Sequence, residues 1–89
     1  MTAFAKLQAI SDNPDICTGL ALTGVLSRLA YSPDDLRHIL ENIAPDIGLV
    51  IITSGLAAKS TDILDKHRKN NLMPLITIIP DLEPRSAAR

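Results

Sequence analysis

Gly48-Leu49-Val50-Ile51-Ile52-Thr53-Ser54-Gly55 runs four aliphatic residues into a polar turn. A strand wet on one side alternates apolar and polar residues, and this one does not. It reads as a central strand covered on both faces, as in parallel α/β sheets. The run is short and flanked by glycines, which favours a strand over a buried helical segment.

Upstream, Leu7 to Ile10 is a short candidate strand, with Phe4 as an earlier start. Asn13 then suits a helix N-cap and Pro14 the first helical position, where a missing N–H costs nothing. That helix runs to about Leu22. Gly19 inside it reads as a close approach of helix and sheet backbones, and Thr23-Gly24 as its stop. Val25 to Tyr31 is a second strand, whose Ser27 and Arg28 suit a sheet edge. Ser32-Pro33-Asp34-Asp35 starts a second helix with a capping serine, proline at N1 and two acids at the positive end of the dipole. Leu36, Ile39, Leu40 and Ile43 follow as one apolar stripe.

Downstream, Gly55-Leu56-Ala57-Ala58-Lys59 is compatible with a helical turn. Ser60 reads as the cap of a helix from Thr61 to about Asn70, with Ile63, Leu64 and His67 on one side. Leu75 to Ile79 is the fourth strand, between Pro74 and Pro80. The alternation predicts an α/β fold: a small four-stranded parallel sheet, order 2-1-3-4, with three helices, a receiver-like or cut-down doubly wound sheet. Residues 1–82 form a single domain in this reading, and residues 83–89 a loose tail. In that order the first helix covers strands 1 and 2 on one face, and the others lie on the opposite face. Strands 3 and 4 are then left bare on the first face. An apolar patch of this kind is usually an interaction site. Leu75, Thr77 and Ile79 are the expected partner-binding residues, because Thr77 breaks the apolar run on that side of strand 4. Strand 4 is also an unprotected edge, open to weak self-association.

The 89 residues make one small domain with 46% hydrophobic content, one Phe, one Tyr and no Trp, so the core must be aliphatic. Scarce aromatics and a net charge of −1 argue against a nucleic-acid surface or attraction to anionic lipid. The single cysteine, Cys17, cannot close an internal disulfide, which fits a reducing cytosol. The first residues lack a signal peptide's apolar region, and no apolar run reaches the roughly 20 residues that span a bilayer.

Chemistry is sparse. Asp12 and Asp15 flank the first strand-to-helix turn, at the sheet edge where such folds bind ligands. They allow an alternative, a small receiver-like or nucleotide-binding signalling domain. A receiver pocket needs an aspartate after strand 3, however, and Thr53-Ser54 stand there. The turn also lacks G-x-G-x-x-G and places carboxylates where a pyrophosphate would sit. Cys17 lies within a helix without an adjacent His and reads as a packed thiol. His38 and His67 fall on different helices without metal spacing. Lys66-His67-Arg68-Lys69 reads as a solvated face at a helix C-terminus. No catalytic residue, cofactor or metal site is expected.

The stretch from Ile10 through Asp12-Asn13-Pro14-Asp15 and Thr18-Gly19 to Leu22-Thr23-Gly24-Val25 is similar to the N-terminal segment of the F subunit of V-type and archaeal-type ATPases. Leu49 to Thr53, Ile63 to Lys69, and Met73-Pro74-Leu75 to Ile79-Pro80 resemble that family's later strands and helix. The resemblance covers roughly residues 7–81. Ser11 stands where the family commonly has Gly, and Leu20 replaces its usual aromatic. Ser54-Gly55 replaces an often acidic pair. The family usually continues past Pro80 into a helical segment, where this sequence has only a few more residues. The resemblance implies a non-catalytic component of the central stalk of a rotary ATPase. Such a protein binds the coiled-coil D subunit of the stalk and supports coupling of ATP turnover to proton or sodium transport. It is cytoplasmic and peripheral to the membrane.

Overall fold

The computed structural model describes residues 6–71 and 74–80. The elements run β1 (Lys6–Ser11), α1 (Pro14–Leu22), β2 (Leu26–Leu29), α2 (Pro33–Glu41), β3 (Ile47–Thr53), α3 (Ser54–Ala58), α4 (Thr61–Asn70) and β4 (Leu75–Ile79). The strands form one parallel sheet in the order β2-β1-β3-β4. The order agrees with the sequence reading, but the helices number four among the described residues. The stretch after Thr53 is a short helix in its own right, with Leu56 and Ala57 buried. The expectations for Phe4, Met73 and the tail 83–89 fall outside the described residues.

Local chemistry sets the element ends. The Asn13 side chain accepts a hydrogen bond from the Asp15 N–H at 2.8 Å, and Ser32 accepts one from the Asp35 N–H at 3.2 Å. Each occupies an orphan donor of the first helical turn. Helix α1 stops in a Schellman turn. The Gly24 N–H donates to the Ala21 carbonyl at 3.0 Å and the Val25 N–H to the Leu20 carbonyl at 3.1 Å. That turn requires a left-handed residue, and Gly24 supplies it with φ of 90°. Ser60 stands at the N-cap of α4, as expected. Its carbonyl accepts the Leu64 N–H, but its side chain makes no capping bond, and its buried Oγ has no partner among the described residues. Gly19 departs from its expected role, since a Cβ there would meet nothing within 4 Å. It marks no close helix–sheet approach.

The core lies on one side of the sheet. Ile10, Val50 and Ile52 are fully buried and join Leu36, Ile39 and Leu40 of α2, Leu56 and Ala57 of α3, and Leu64 of α4 in one cluster. Each large aliphatic side chain removed from water there contributes about 2 kcal/mol. Alternation along the strands assigns this side to the even-numbered residues of β3 and β4. The registers Val50↔Ile76 and Ile52↔Ile78 carry it to the edge strand. Helix α1 packs mainly on β1 and β2, and its Ile16 is buried. Two odd-numbered β3 residues, Leu49 and Ile51, are consequently half-buried. This corrects the expectation that the central strand is covered on both faces. One face is dry and the other is partly wet along β3.

The two glycines of α1 and its stop give opposite predictions for equilibrium urea unfolding. Gly19→Ala is expected to stabilise the chain by about 1 kcal/mol, because it adds helix propensity and meets no neighbour. Gly24→Ala is expected to destabilise it by about 1 kcal/mol or more, because it forces a Cβ into the left-handed region.

Candidate partner-binding surface

The partly wet face is built from β3 and β4. Leu75, Thr77 and Ile79 pair in register with Leu49, Ile51 and Thr53, so all six share one side of the sheet. Leu75 is 60% exposed and Thr77 is exposed, whereas Ile79 is half-buried. The structure therefore brings the three expected residues together on one side of the sheet. Leu49 and Ile51 complete the patch, and sequence reasoning did not name them. The register of β3 on β4 is what adds them.

The strand also exposes its other side. Ile78, on the core side, is 44% exposed. The edge itself is less bare than the sequence suggested. The His67 ring Nε2 lies 3.4 Å from the Pro74 carbonyl oxygen, and an Arg68 Nη donates to the Ile76 carbonyl at 3.5 Å. Side chains at the end of α4 thus reach round to the edge of β4, a device that limits unwanted strand pairing. This accounts for two of the residues in the Lys66-His67-Arg68-Lys69 run.

At the carboxyl edge of the sheet the acidic turn is engaged. Asp12 forms an ion pair with Lys59 at 3.0 Å. Asp15 is exposed in the first turn of α1, and its N–H is bound to Asn13. Between the ends of β1 and β3, Thr53 Oγ1 donates to Ser11 Oγ at 3.1 Å, and both residues are buried. The Asn13 N–H also donates to Ser11 Oγ. Ser11 and Thr53 therefore tie two strand ends together, a contact between residues 42 apart in sequence that no local pattern signals. Among the described residues, no group of three or more His, Cys, Asp or Glu side chains is placed to hold a metal ion.

Cys17 is half-buried in α1, and its Sγ donates to the Arg28 carbonyl at 3.4 Å. Burial pushes its thiol pKa up, the neighbouring Asp12 charge adds to the rise, and a backbone hydrogen bond at Ser11 opposes it. It is a packed thiol rather than an activated one. His38 is exposed on α2, apart from His67. A groove of about 550 Å³ lies between α2 and α4, with Leu40, Ile43 and Ile63 in its lining and Arg37, Glu41, Lys66 and His67 beside them. It mixes both charge signs, and Arg37 is already paired with Asp34 and Glu41. Among the described residues, no helix is long and apolar enough to cross a membrane.

The ATP synthase (F/14-kDa) subunit family matches residues 7–88. The chain belongs to this family. Among solved structures, it is similar to a response regulator receiver protein from Pseudomonas putida, with 19% identity and a TM-score of 0.61. The match covers 99% of this chain and 78% of that one. At that identity the likeness speaks for the receiver-like fold alone. No curated protein matches the chain. This family member shares the receiver-like fold but carries Thr53 at the end of β3 and an Asp12 held by Lys59.

Two measurements check this reading of the loops. Millimolar Mg²⁺ is expected to leave the thermal unfolding midpoint unchanged; a clear rise would revive a metal pocket at Asp12 and Asp15. Because the raised Cys17 pKa lowers the thiolate fraction at any given pH, iodoacetamide at pH 8 is expected to alkylate Cys17 more slowly in the folded chain than in urea. Mass spectrometry over time gives the two rates.

Proposed function

We propose that this protein is a non-catalytic part of the central stalk of a V-type, or archaeal-type, rotary ATPase. In this reading it binds the D subunit of the stalk and supports the coupling of ATP turnover to proton or sodium transport. It works in the cytoplasm, peripheral to the membrane, and uses no cofactor or metal of its own.

The observation that carries the reading is the half-open aliphatic face of β3 and β4. Leu75 stands 60% exposed there beside Thr77, Leu49 and Ile51. An exposed apolar surface on a folded domain gains free energy when a partner covers it, about 25 cal/mol for each Å² removed from water. Family membership supports the kind of complex, and the patch supplies a surface on which a stalk partner can sit. In the acidic turn Asp12 is held by Lys59, which leaves the face as the stronger candidate.

Pull-down with the D subunit from the same genome tests the proposal. The wild-type chain is expected to bind. Leu75→Lys is expected to weaken binding at least tenfold without altering the circular dichroism spectrum, because the side chain is already exposed. Ile79→Lys should weaken binding too, with some loss of stability from its half-buried position. Undiminished binding by a folded Leu75→Lys chain would place the stalk-binding surface elsewhere.

A further inference from the structure

The open face of β3 and β4 has the dimensions of one helix. Neighbouring strands lie about 4.8 Å apart, so two strands give a floor about 10 Å wide. Packed helices lie about 8–10 Å apart, axis to axis. Helix α1 is seated mainly on β1 and β2, so the next helix of that layer would run along β3 and β4. At about 3.3 Å per residue β3 spans about 23 Å, the length of a helix of about 15 residues. Helices α2, α3 and α4 pack on the core side, so among the described residues no helix takes that place.

The flank of α1 that borders this place carries Gly19. Ile16 is buried and Leu20 half-buried, so both point to the sheet. Successive helical residues turn by about 100° in one sense. Cys17 follows Ile16 and Gly19 precedes Leu20, so the two lie on opposite flanks. Cys17 Sγ meets the Arg28 carbonyl of β2, which assigns the other flank, with Gly19, to the β3 side.

Gly19 lies about a quarter turn from the sheet-facing line, level with the axis of α1. An extended segment on the sheet would lie too low to meet it. A helix beside α1 is as thick as α1 and meets it directly. Gly19 is exposed, and a Cβ there would touch nothing within 4 Å. It weakens α1, and no contact within the chain accounts for it. A missing side chain does allow a close approach from outside. A helix against Gly19 would also shelter Leu22, which stands 83% exposed three residues on.

We propose that the stalk partner covers the open face with a single α-helix, laid alongside α1 and packed closely against Gly19. Its apolar side meets Leu49, Ile51, Leu75 and Thr77. The proposal rests on the stalk reading above, and adds the form of the partner's element and the second wall of its seat.

Pull-down with the D subunit tests it on the wild-type, Gly19→Leu, Ala21→Leu and Leu75→Lys chains, with a thermal unfolding curve for each. Gly19→Leu is expected to keep or raise the unfolding midpoint and to weaken binding at least tenfold, because the added side chain fills the space the helix needs. Ala21 is exposed on the flank of α1 that carries Cys17, so Ala21→Leu is expected to bind like the wild type. If Leu75→Lys loses the D subunit while a folded Gly19→Leu chain retains it, the face still binds the stalk and the helical seat is overturned. Equal losses for Gly19→Leu and Ala21→Leu overturn the seat as well. If Gly19→Leu fails to fold, Gly19→Ala decides in its place: the seat requires a raised midpoint with weaker binding, and unchanged binding overturns it. A wild-type chain that does not bind the D subunit overturns the seat together with the stalk reading.

Discussion

Ile10, Val50 and Ile52 meet Leu36, Leu56 and Leu64 in a dry layer on one side of the sheet, and the rest of the molecule is arranged around that contact. A parallel strand needs a crossover to reach its neighbour, and right-handed crossovers assign each helix to a face. From the order β2-β1-β3-β4, α2, α3 and α4 fall on one face and α1 on the other. Among the described residues, α2, α3 and α4 bury the even-numbered side of β3, and the other side is half-open along β3 and β4.

That asymmetry separates structure from function in space. The carboxyl edge of the sheet, where this fold binds ligands in other proteins, is given to internal bonds. Ser11 with Thr53 closes the ends of β1 and β3, and Asp12 with Lys59 ties the first loop to the segment after α3. The surface ion pair contributes at most about 1 kcal/mol, and its main effect is to hold the acid in place. The exposed aliphatic surface includes the open face of β3 and β4, where Leu75 stands.

Much of this was legible in the sequence, for identifiable reasons. The apolar run at Leu49 to Ile52, the caps at Asn13 and Ser32, and the stop at Gly24 are local signals, and each acts through groups within a few residues. The β-α-β alternation constrained the topology enough to name the sheet order. The expectation of a bare face on strands 3 and 4 followed from counting helices against faces. Readings that depended on what lies across the fold fared worse. Gly19 suggested a close approach that no neighbour makes, and Ser60 suggested a cap that its side chain does not form. The edge of β4 looked unguarded because nothing in a linear reading brings Arg68 and His67 back to it.

The sequence by itself determined the element types, their order and the aliphatic nature of the core, because propensity, capping and hydrophobic period act over short stretches. It also carried the family likeness, since that is written in the order of its motifs. Only the tertiary structure decided which side of β3 is dry, which residues join Leu75 on the open face, and which groups occupy the loops. Those depend on strand register and on contacts between distant residues. A shift of one residue in register would exchange the two faces of β4 without altering a single local signal.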